Sequence, residues 1–187
     1  ELFENKLSGT IPRVFANVTT LVTLDVHDNL LFGDLPALTD LVNLKHLVVN
    51  IGSMSGTFPQ GPFIFRLTEL QHLDLGDNDL SGTLPKEIGR LRSLERLLAD
   101  DNELKGTIPE TIGQLTRLET LNLDRNFIRG VLPGSMTKIV GLKRLQMAHN
   151  QLSGNEASTI GNVLAQMHSL TTLDMYFSSQ QEDLSKT

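Results

Sequence analysis

Aspartate and histidine side chains that could bind a ligand recur along this sequence roughly every two dozen residues, most clearly at Asp25, His46, His72 and Asp74. Carboxylates attract cations, and imidazole together with carboxylate can ligate a metal ion. A pair of solvated histidines is the more common outcome, and we predict no metal. A cation-binding surface is therefore the chemistry that these residue types favour.

Catalytic chemistry is not indicated. The chain contains no cysteine, which removes thiol nucleophiles and zinc–thiolate sites from consideration. No serine, histidine and aspartate arrangement and no phosphate-binding loop has the supporting context that catalysis needs. We therefore predict that the chain is not an enzyme and has no cofactor.

An internal repeat determines which elements position the polar residues. The stretch LSGTIP at 7–12 returns as FGDLP, SGTFP, LSGTLP, LKGTIP and RGVLP. Successive prolines are 24, 23, 26, 24 and 24 residues apart, at Pro12, Pro36, Pro59, Pro85, Pro109 and Pro133. A period of this size indicates a solenoid.

Each repeat also carries the pattern LxxLxLxxNxL, which one copy fills with Leu118, Leu121, Leu123, Asn126 and Ile128. The alternation of leucine with other residues is the period of a strand with one buried side, so one strand per repeat should stack into a parallel sheet. No repeat can bury its own leucines, each of which contributes roughly 1.5–3 kcal/mol on full burial.

Asparagine and then glycine follow each predicted strand. The asparagines should turn inward and form a ladder of amide hydrogen bonds to unpaired backbone groups, at Asn5, Asn29, Asn78, Asn102, Asn126 and Asn150. Glycine suits the close turn that comes next, and proline then fixes its own φ. The return path should be extended, without room for long helices.

These motifs resemble a known family. Residues 73–97, LDLGDNDLSGTLPKEIGRLRSLERL, are similar to the plant-type leucine-rich repeats, whose mark is LxGxIP after the asparagine, and the match covers essentially residues 1–177. The resemblance implies an α/β fold: a right-handed superhelix with a parallel concave sheet and short 3₁₀ or α turns on the convex side. Members include receptor-kinase ectodomains and secreted inhibitors of cell-wall hydrolases, which implies a recognition surface.

We expect a single domain, 1–187, of about eight repeats with the first incomplete. Helical spacing of apolar residues predicts a longer helix over 155–168, and 178–187 is a polar tail.

Leu2 and Asn5 already occupy the second strand-leucine and ladder positions, so we expect residues to precede this chain. The missing cysteines, which usually staple the caps in the plant family, indicate either caps outside the chain or a lineage, algal or bacterial, that caps differently.

The charge of the chain is −6, and residues 1–84 carry the whole excess with 4 Lys and Arg against 10 Asp and Glu. Nucleic-acid binding requires many cations and is discounted.

No run of about 18 apolar residues exists, so we expect no membrane contact by this segment itself. A membrane span outside this segment stays open. A glycosylation sequon at Asn17 is consistent with an extracellular or cell-surface location, although a chance match is as frequent.

Stacking in register should align the outward residues into columns on the concave face. We predict ligand contacts from Asp25, His46, Val48, Asp74, Arg96, Leu98, Asn122, Asp124 and Arg144. The alternative is a solvated polar surface on which aspartates next to the ladder asparagine only suit the turn. The third repeat, where Gly52 replaces asparagine, either drifted or forms a protrusion that carries Phe63 or Phe65.

The resulting hypothesis is a non-catalytic recognition module, a receptor ectodomain or a fragment of one. Its partner would be a protein, peptide or glycan, with a cationic ligand favoured by the aspartates. Two alternatives stay open: a secreted inhibitor of an extracellular enzyme, and an intracellular or structural scaffold.

Overall fold

The computed structural model describes residues 2–35, 38, 40–59, 66–153 and 160–175. The predicted protrusion with Phe63 and Phe65, the start of the predicted helix and the tail at 178–187 lie outside them. The strands in chain order are β1 (Ser8–Gly9), β2 (Thr23–Asp25), β3 (Leu30–Gly33), β4 (His46–Val48), β5 (Ser53–Met54), β6 (His72–Asp74), β7 (Ser81–Thr83), β8 (Arg96–Leu98), β9 (Glu103–Gly106), β10 (Thr120–Asn122), β11 (Phe127–Gly130), β12 (Arg144–Gln146), β13 (Gln151–Leu152) and β14 (Thr172–Asp174).

The seven even-numbered strands form one parallel sheet in sequential order. Each strand leucine pairs with the leucine of the next repeat, so that Leu121 lies between Leu97 and Leu145. The inward leucines of β4 through β12 are fully buried, whereas Leu173 in β14 is 47% exposed. The predicted concave sheet and the predicted columns of outward residues are therefore confirmed.

The odd-numbered strands form a second set that the sequence analysis did not predict. They make a three-stranded sheet, β1-β3-β5, and a four-stranded sheet, β7-β9-β11-β13, and a parallel bridge from Thr57 to Ser81 connects the two. The reason is geometric. Extended return paths that recur at a constant period lie side by side, and their backbone N–H and C=O groups pair.

Short helical turns complete the repeats. Among the described residues, four 3₁₀ helices, each directly after a proline, span Arg13–Asn17, Lys86–Arg90, Glu110–Gln114 and Gly134–Lys138. The proline carbonyl begins the turn, as where Pro85 accepts the N–H of Ile88 at 3.0 Å. In the seventh repeat an α-helix, α1 (Ile160–Leu164), takes this place and buries Ile160 and Val163.

The asparagine ladder is present inside the solenoid. The side-chain nitrogen of Asn126 donates to the carbonyls of Ala99 at 2.9 Å and Asp124 at 3.0 Å, and its oxygen accepts the N–H of Leu104 at 2.9 Å. Equivalent residues are buried at Asn29, Asn78, Asn102 and Asn150. Asn5 is exposed, and its side-chain amide donates to the nearby carbonyls of Leu2 and Phe3. The ladder prediction is confirmed for the five buried asparagines.

Replacing Leu121 by alanine should lower the free energy of unfolding by about 2–5 kcal/mol, because this fully buried leucine lies in the middle of the stack. Denaturant-induced unfolding measures the change. Leu30→Ala is the matched control: Leu30 is 63% exposed, and its loss should cost less than about 0.5 kcal/mol. Equal effects of the two substitutions would contradict the assignment of Leu121 to the core.

Candidate functional site

The outward side chains of β2, β4 and β6 surround a cleft of about 540 Å³ on the concave face. We call it the concave cleft, and it is lined by Thr23, Asp25, His27, His46, Val48, Asn50, His72 and Asp74. Four of these, Asp25, His46, Val48 and Asp74, are among the predicted binding residues. They come together because strand pairing places Val48 directly between Asp25 and Asp74.

The other predicted residues lie farther along the same face. Arg96 and Leu98 are on β8 and Asn122 is on β10, while Arg144 is on β12. Asp124 follows β10 and is already engaged by the protein, since its Oδ1 accepts the backbone N–H of Ala148 at 2.7 Å. The structure thus places every predicted residue on or beside one sheet, but it brings only four of them into the cleft.

Four lining residues were missing from the predicted set: Thr23, His27, Asn50 and His72. Their positions beside the strand leucines were visible in the sequence, because they occupy the same columns as the predicted residues. The sequence did not show that three successive strands surround one depression. The sequence feature that could have identified these four residues is that they fall in the same or adjacent columns as Asp25 and Asp74.

The carboxylate of Asp25 is held in place by His27. The Nδ1 atom of His27 lies 2.6 Å from Oδ1 of Asp25, and the same oxygen accepts the backbone N–H of His27 at 3.3 Å. On its other side the imidazole stacks on the ring of Phe3, with centroids 4.7 Å apart. The position of this carboxylate at the edge of the cleft is therefore fixed before any ligand arrives.

Asp74 is the buried carboxyl group of the cleft, with 8% of its surface exposed. Burial raises its pKa to about 6, because the charged form loses its hydration. The neighbouring Asp100 raises the pKa further, whereas the N–H of Gly76, donated to Oδ1 at 3.1 Å, opposes the rise. Asp74 therefore changes its charge close to neutral pH.

His72 faces the opposite constraint. Burial lowers its pKa to about 4, and the positive charge of Arg96 contributes to the effect. His72 is therefore neutral at pH 7, and its ring meets the ring of His46 edge-on, with centroids 6.1 Å apart. In the described part of the chain, Nε2 of His72 and Oδ1 of Asn50 are shielded from water and have no hydrogen-bond partner.

Five of the acidic residues of this face divide into two groups. Asp28, Asp77 and Asp101 have φ of 49°, 48° and 48°, the left-handed conformation that aspartate tolerates better than most residues. Asp101 also pairs with Arg125 at 2.8 Å. These three side chains suit the turn, as the alternative interpretation proposed. Asp25 and Asp74, which line the cleft, have regular strand positions.

Three further predictions concern a metal ion, a membrane span and glycosylation, and the described residues bear on each. Within these residues, no three histidine, aspartate or glutamate side chains are placed to hold a metal ion. None of the described helices is both long and apolar enough to cross a membrane. Asn17 is exposed at the end of the 3₁₀ helix Arg13–Asn17, and its glycosylation stays a prediction.

Residues 62–187 match the family described as a leucine-rich repeat region, so the chain belongs to the leucine-rich repeat family. No curated protein sequence matches it. Several of the solved structures that resemble the chain are receptor ectodomains.

Two of these structures illustrate the similarity. The Arabidopsis receptor kinase HAESA ectodomain, in complex with an extended IDA peptide hormone ligand, is 31% identical with a TM-score of 0.86, and the match covers 94% of this chain and 28% of that one. A TDR receptor is 30% identical with a TM-score of 0.86, and the coverages are 94% and 30%. The chain therefore spans less than a third of these receptor chains.

A protein that is not described as a receptor has a similar fold. A plant ice-binding protein is 27% identical to this chain with a TM-score of 0.78, and the match covers 93% of this chain and 63% of that protein. The fold is thus shared by proteins with different ligands.

Replacing Asp74 by asparagine should stabilise the folded chain by about 2–3 kcal/mol at pH 7.5, with the gain vanishing below about pH 4. The folded-state pKa, about 6, lies above the ordinary value of 3.8. The stabilising effect of protonation is therefore present below pH 3.8 and is lost as the pH rises through 6. Urea unfolding of both proteins across this range measures the difference.

His72 acts with the opposite sign, since its lowered pKa stabilises the folded chain above pH 6.5, and this contribution is lost as the pH falls toward 4. The two effects oppose each other in one pH window, so the wild-type curve alone conceals both. NMR titration of the Asp74 carboxyl separates them. Asp77→Asn is the exposed control, and a pH-independent difference between wild type and Asp74→Asn would contradict the burial effect.

Proposed function

We propose that this chain is a non-catalytic ligand-recognition module, part of an extracellular or cell-surface receptor ectodomain, which binds a protein or peptide on its concave face. One observation carries the proposal: seven parallel strands align their outward residues into continuous columns, and the columns enclose a cleft with buried titratable groups. Such a surface offers a ligand many contacts from one rigid element. Burial-shifted pKa values tend to cluster at functional sites.

The comparisons support the choice of ligand class. The HAESA ectodomain, which shares this fold, was solved with a peptide hormone ligand. Because this chain spans less than a third of that one, the activity of a whole receptor is itself part of the proposal. A glycan ligand would use the same face through its polar columns.

The distribution of charge suggests how such a ligand would be oriented. Adjacent strands lie about 4.8 Å apart, and an extended peptide advances about 3.4 Å per residue, so a peptide crossing the sheet meets a new repeat every one to two residues. Asp25 and Asp74 make one part of the face acidic, whereas Arg96 and Arg144 project from later strands and are exposed. A ligand with a basic and an acidic end would therefore bind in one direction, and complementary charge would also speed its association.

We predict that a charge introduced on the concave sheet weakens binding, whereas the same change on the second set of strands does not. Peptides would be selected from a displayed random library on the immobilised chain, then tested on Leu98→Glu, which changes a half-buried residue of β8. We expect at least about a tenfold loss of affinity, because the substitution buries an unpaired charge at the interface.

The matched control is Phe127→Glu, the same type of change at a residue that is 52% exposed on the second set of strands. Its effect on affinity should be less than about twofold. Circular dichroism would confirm that both variants fold. If most selected peptides lose affinity with Phe127→Glu and keep it with Leu98→Glu, the concave face is not the recognition surface.

A further inference from the structure

Two carboxyl groups occupy one row of the concave cleft, with an aliphatic residue between them. Asp25 on β2 and Asp74 on β6 occupy the same row as Val48, which lies between them on β4. Since neighbouring strands are about 4.8 Å apart, the Cα atoms of the two aspartates are about 10 Å apart. The space between the two side chains lies over Val48.

The protein itself leaves part of this cleft without hydrogen bonds. Asp74 is nine-tenths buried, and the one hydrogen bond described for its side chain comes from Gly76. Asn50 and His72 each contribute a polar atom that water does not reach and that has no partner in the described part of the chain. An unpaired buried polar atom destabilises the folded chain, because it has lost its hydrogen bonds to water and gained none in return. A ligand that brings N–H donors, and lets these side chains turn toward it, would recover this cost.

The negative charge of the cleft favours some hydrogen-bond donors of a ligand over others. His72 is neutral at pH 7 because its pKa is low, so it does not cancel the negative charge of the aspartates. A cation is therefore preferred to a neutral amide. A compact ammonium group is strongly hydrated and acts as a point charge, whereas a guanidinium is planar, weakly hydrated and carries five N–H donors in a fixed arrangement.

We propose that the concave cleft binds the guanidinium group of an arginine side chain of the ligand, with N–H groups donated to Asp25 and Asp74 and its flat face on Val48. Hydrogen bonds of about 2.8 Å on both sides of a planar group allow it to span the two carboxylates. The inference rests on the proposed function, because it assigns one residue of the proposed peptide or protein ligand.

The charged and titratable neighbours of the cleft are consistent with this assignment. His27 is hydrogen-bonded to Asp25, and the ring of His46 contacts the ring of His72 edge-on. Arg96, on the adjacent strand β8, acts electrostatically on both His72 and Asp74, but it forms no ion pair with Asp74 among the described contacts. Arg96 therefore weakens cation binding without occupying the site, and Arg96→Gln should strengthen it.

The probes for the test are three short peptides: acetyl-Gly-Arg-Gly-amide, the same peptide with citrulline, which keeps the shape without the charge, and the same peptide with lysine. Binding to the whole chain would be followed by NMR through the five histidine rings. We expect the arginine peptide to bind about tenfold more tightly than either of the others. The rings of His27, His46 and His72 should shift, and those of His149 and His168 should not.

Asp25→Asn and Asp74→Asn should each weaken binding of the arginine peptide at least about threefold, because each removes one charged acceptor. Asparagine retains an oxygen that can accept the N–H of Gly76, so the fold is preserved. Asp77→Asn, the same change at an exposed turn outside the cleft, should leave binding unchanged, and Arg96→Gln should tighten it.

Equal binding of the citrulline or lysine peptide, insensitivity to both cleft variants, or ring shifts only outside the cleft would each overturn the guanidinium assignment. These outcomes leave the proposed function standing if selected peptides still depend on Leu98. Conversely, dependence on Phe127 would remove the proposed function, whatever the arginine probe does. The two proposals therefore fail separately.

Discussion

The whole solenoid depends on an asparagine amide that each regular repeat turns inward. The Nδ2 atom of Asn102 donates to the carbonyl of Leu75 at 2.9 Å, and its Oδ1 atom accepts the N–H of Leu80 at 2.9 Å. Both partners belong to the preceding repeat, on either side of that repeat's own ladder residue, Asn78. One buried side chain therefore satisfies backbone groups that the turn leaves unpaired and fixes the distance between repeats. This contact supports the register of the concave strands, and with it the alignment of the outward columns, in the repeats that carry the asparagine.

The cleft adjoins the place where the ladder is interrupted. Its central strand, β4, is followed by Ile51 and by Gly52, which stands where the other repeats have asparagine. A Cβ atom at Gly52 would lie 3.1 Å from Oδ1 of Asn78, so the neighbouring ladder side chain limits the space there. Ile51 has φ of 55°, a strained conformation for a β-branched residue. The equivalent residues Asp28, Asp77 and Asp101 adopt the same left-handed turn, so the conformation belongs to the repeat, and it is costly here only because the side chain is β-branched.

Much of the fold was predictable because a repeated sequence constrains itself. The spacing of Leu97, Leu121 and Leu145 fixed the parallel register, and the columns of outward residues followed from it. The second set of strands was not predictable from side-chain patterns, because segments such as Ser81–Thr83 show no alternation of apolar residues. Their pairing comes from backbone groups that the repeat brings side by side.

The site was predictable at the level of columns and not at the level of individual groups. The sequence placed Asp25, Asp74, Asp77 and Asp101 on or near the face with nothing to distinguish them. Backbone conformation separates them, because Asp77 and Asp101 occupy left-handed turn positions. Burial then distinguishes the two cleft residues, because Asp74 is 8% exposed with a pKa raised to about 6, whereas the side chain of Asp25 is 17% exposed. Both properties depend on how neighbouring repeats pack, which one repeat alone does not encode.

The fold alone does not determine the ligand, since receptors and an ice-binding protein share it. The distribution of side chains over the two sets of strands must therefore determine it. The second set exposes Leu30 and Phe32 on β3, which line one depression together with Ile51, and Phe127 on β11. Exposed apolar residues are common on protein surfaces. The concave set instead concentrates buried polar atoms and a carboxyl group held partly out of water, which folding alone disfavours. A polar arrangement that costs folding free energy in the free chain is best explained by what it gains with a partner, and its position on β2, β4 and β6 makes that part of the concave face the first place where a ligand should be sought.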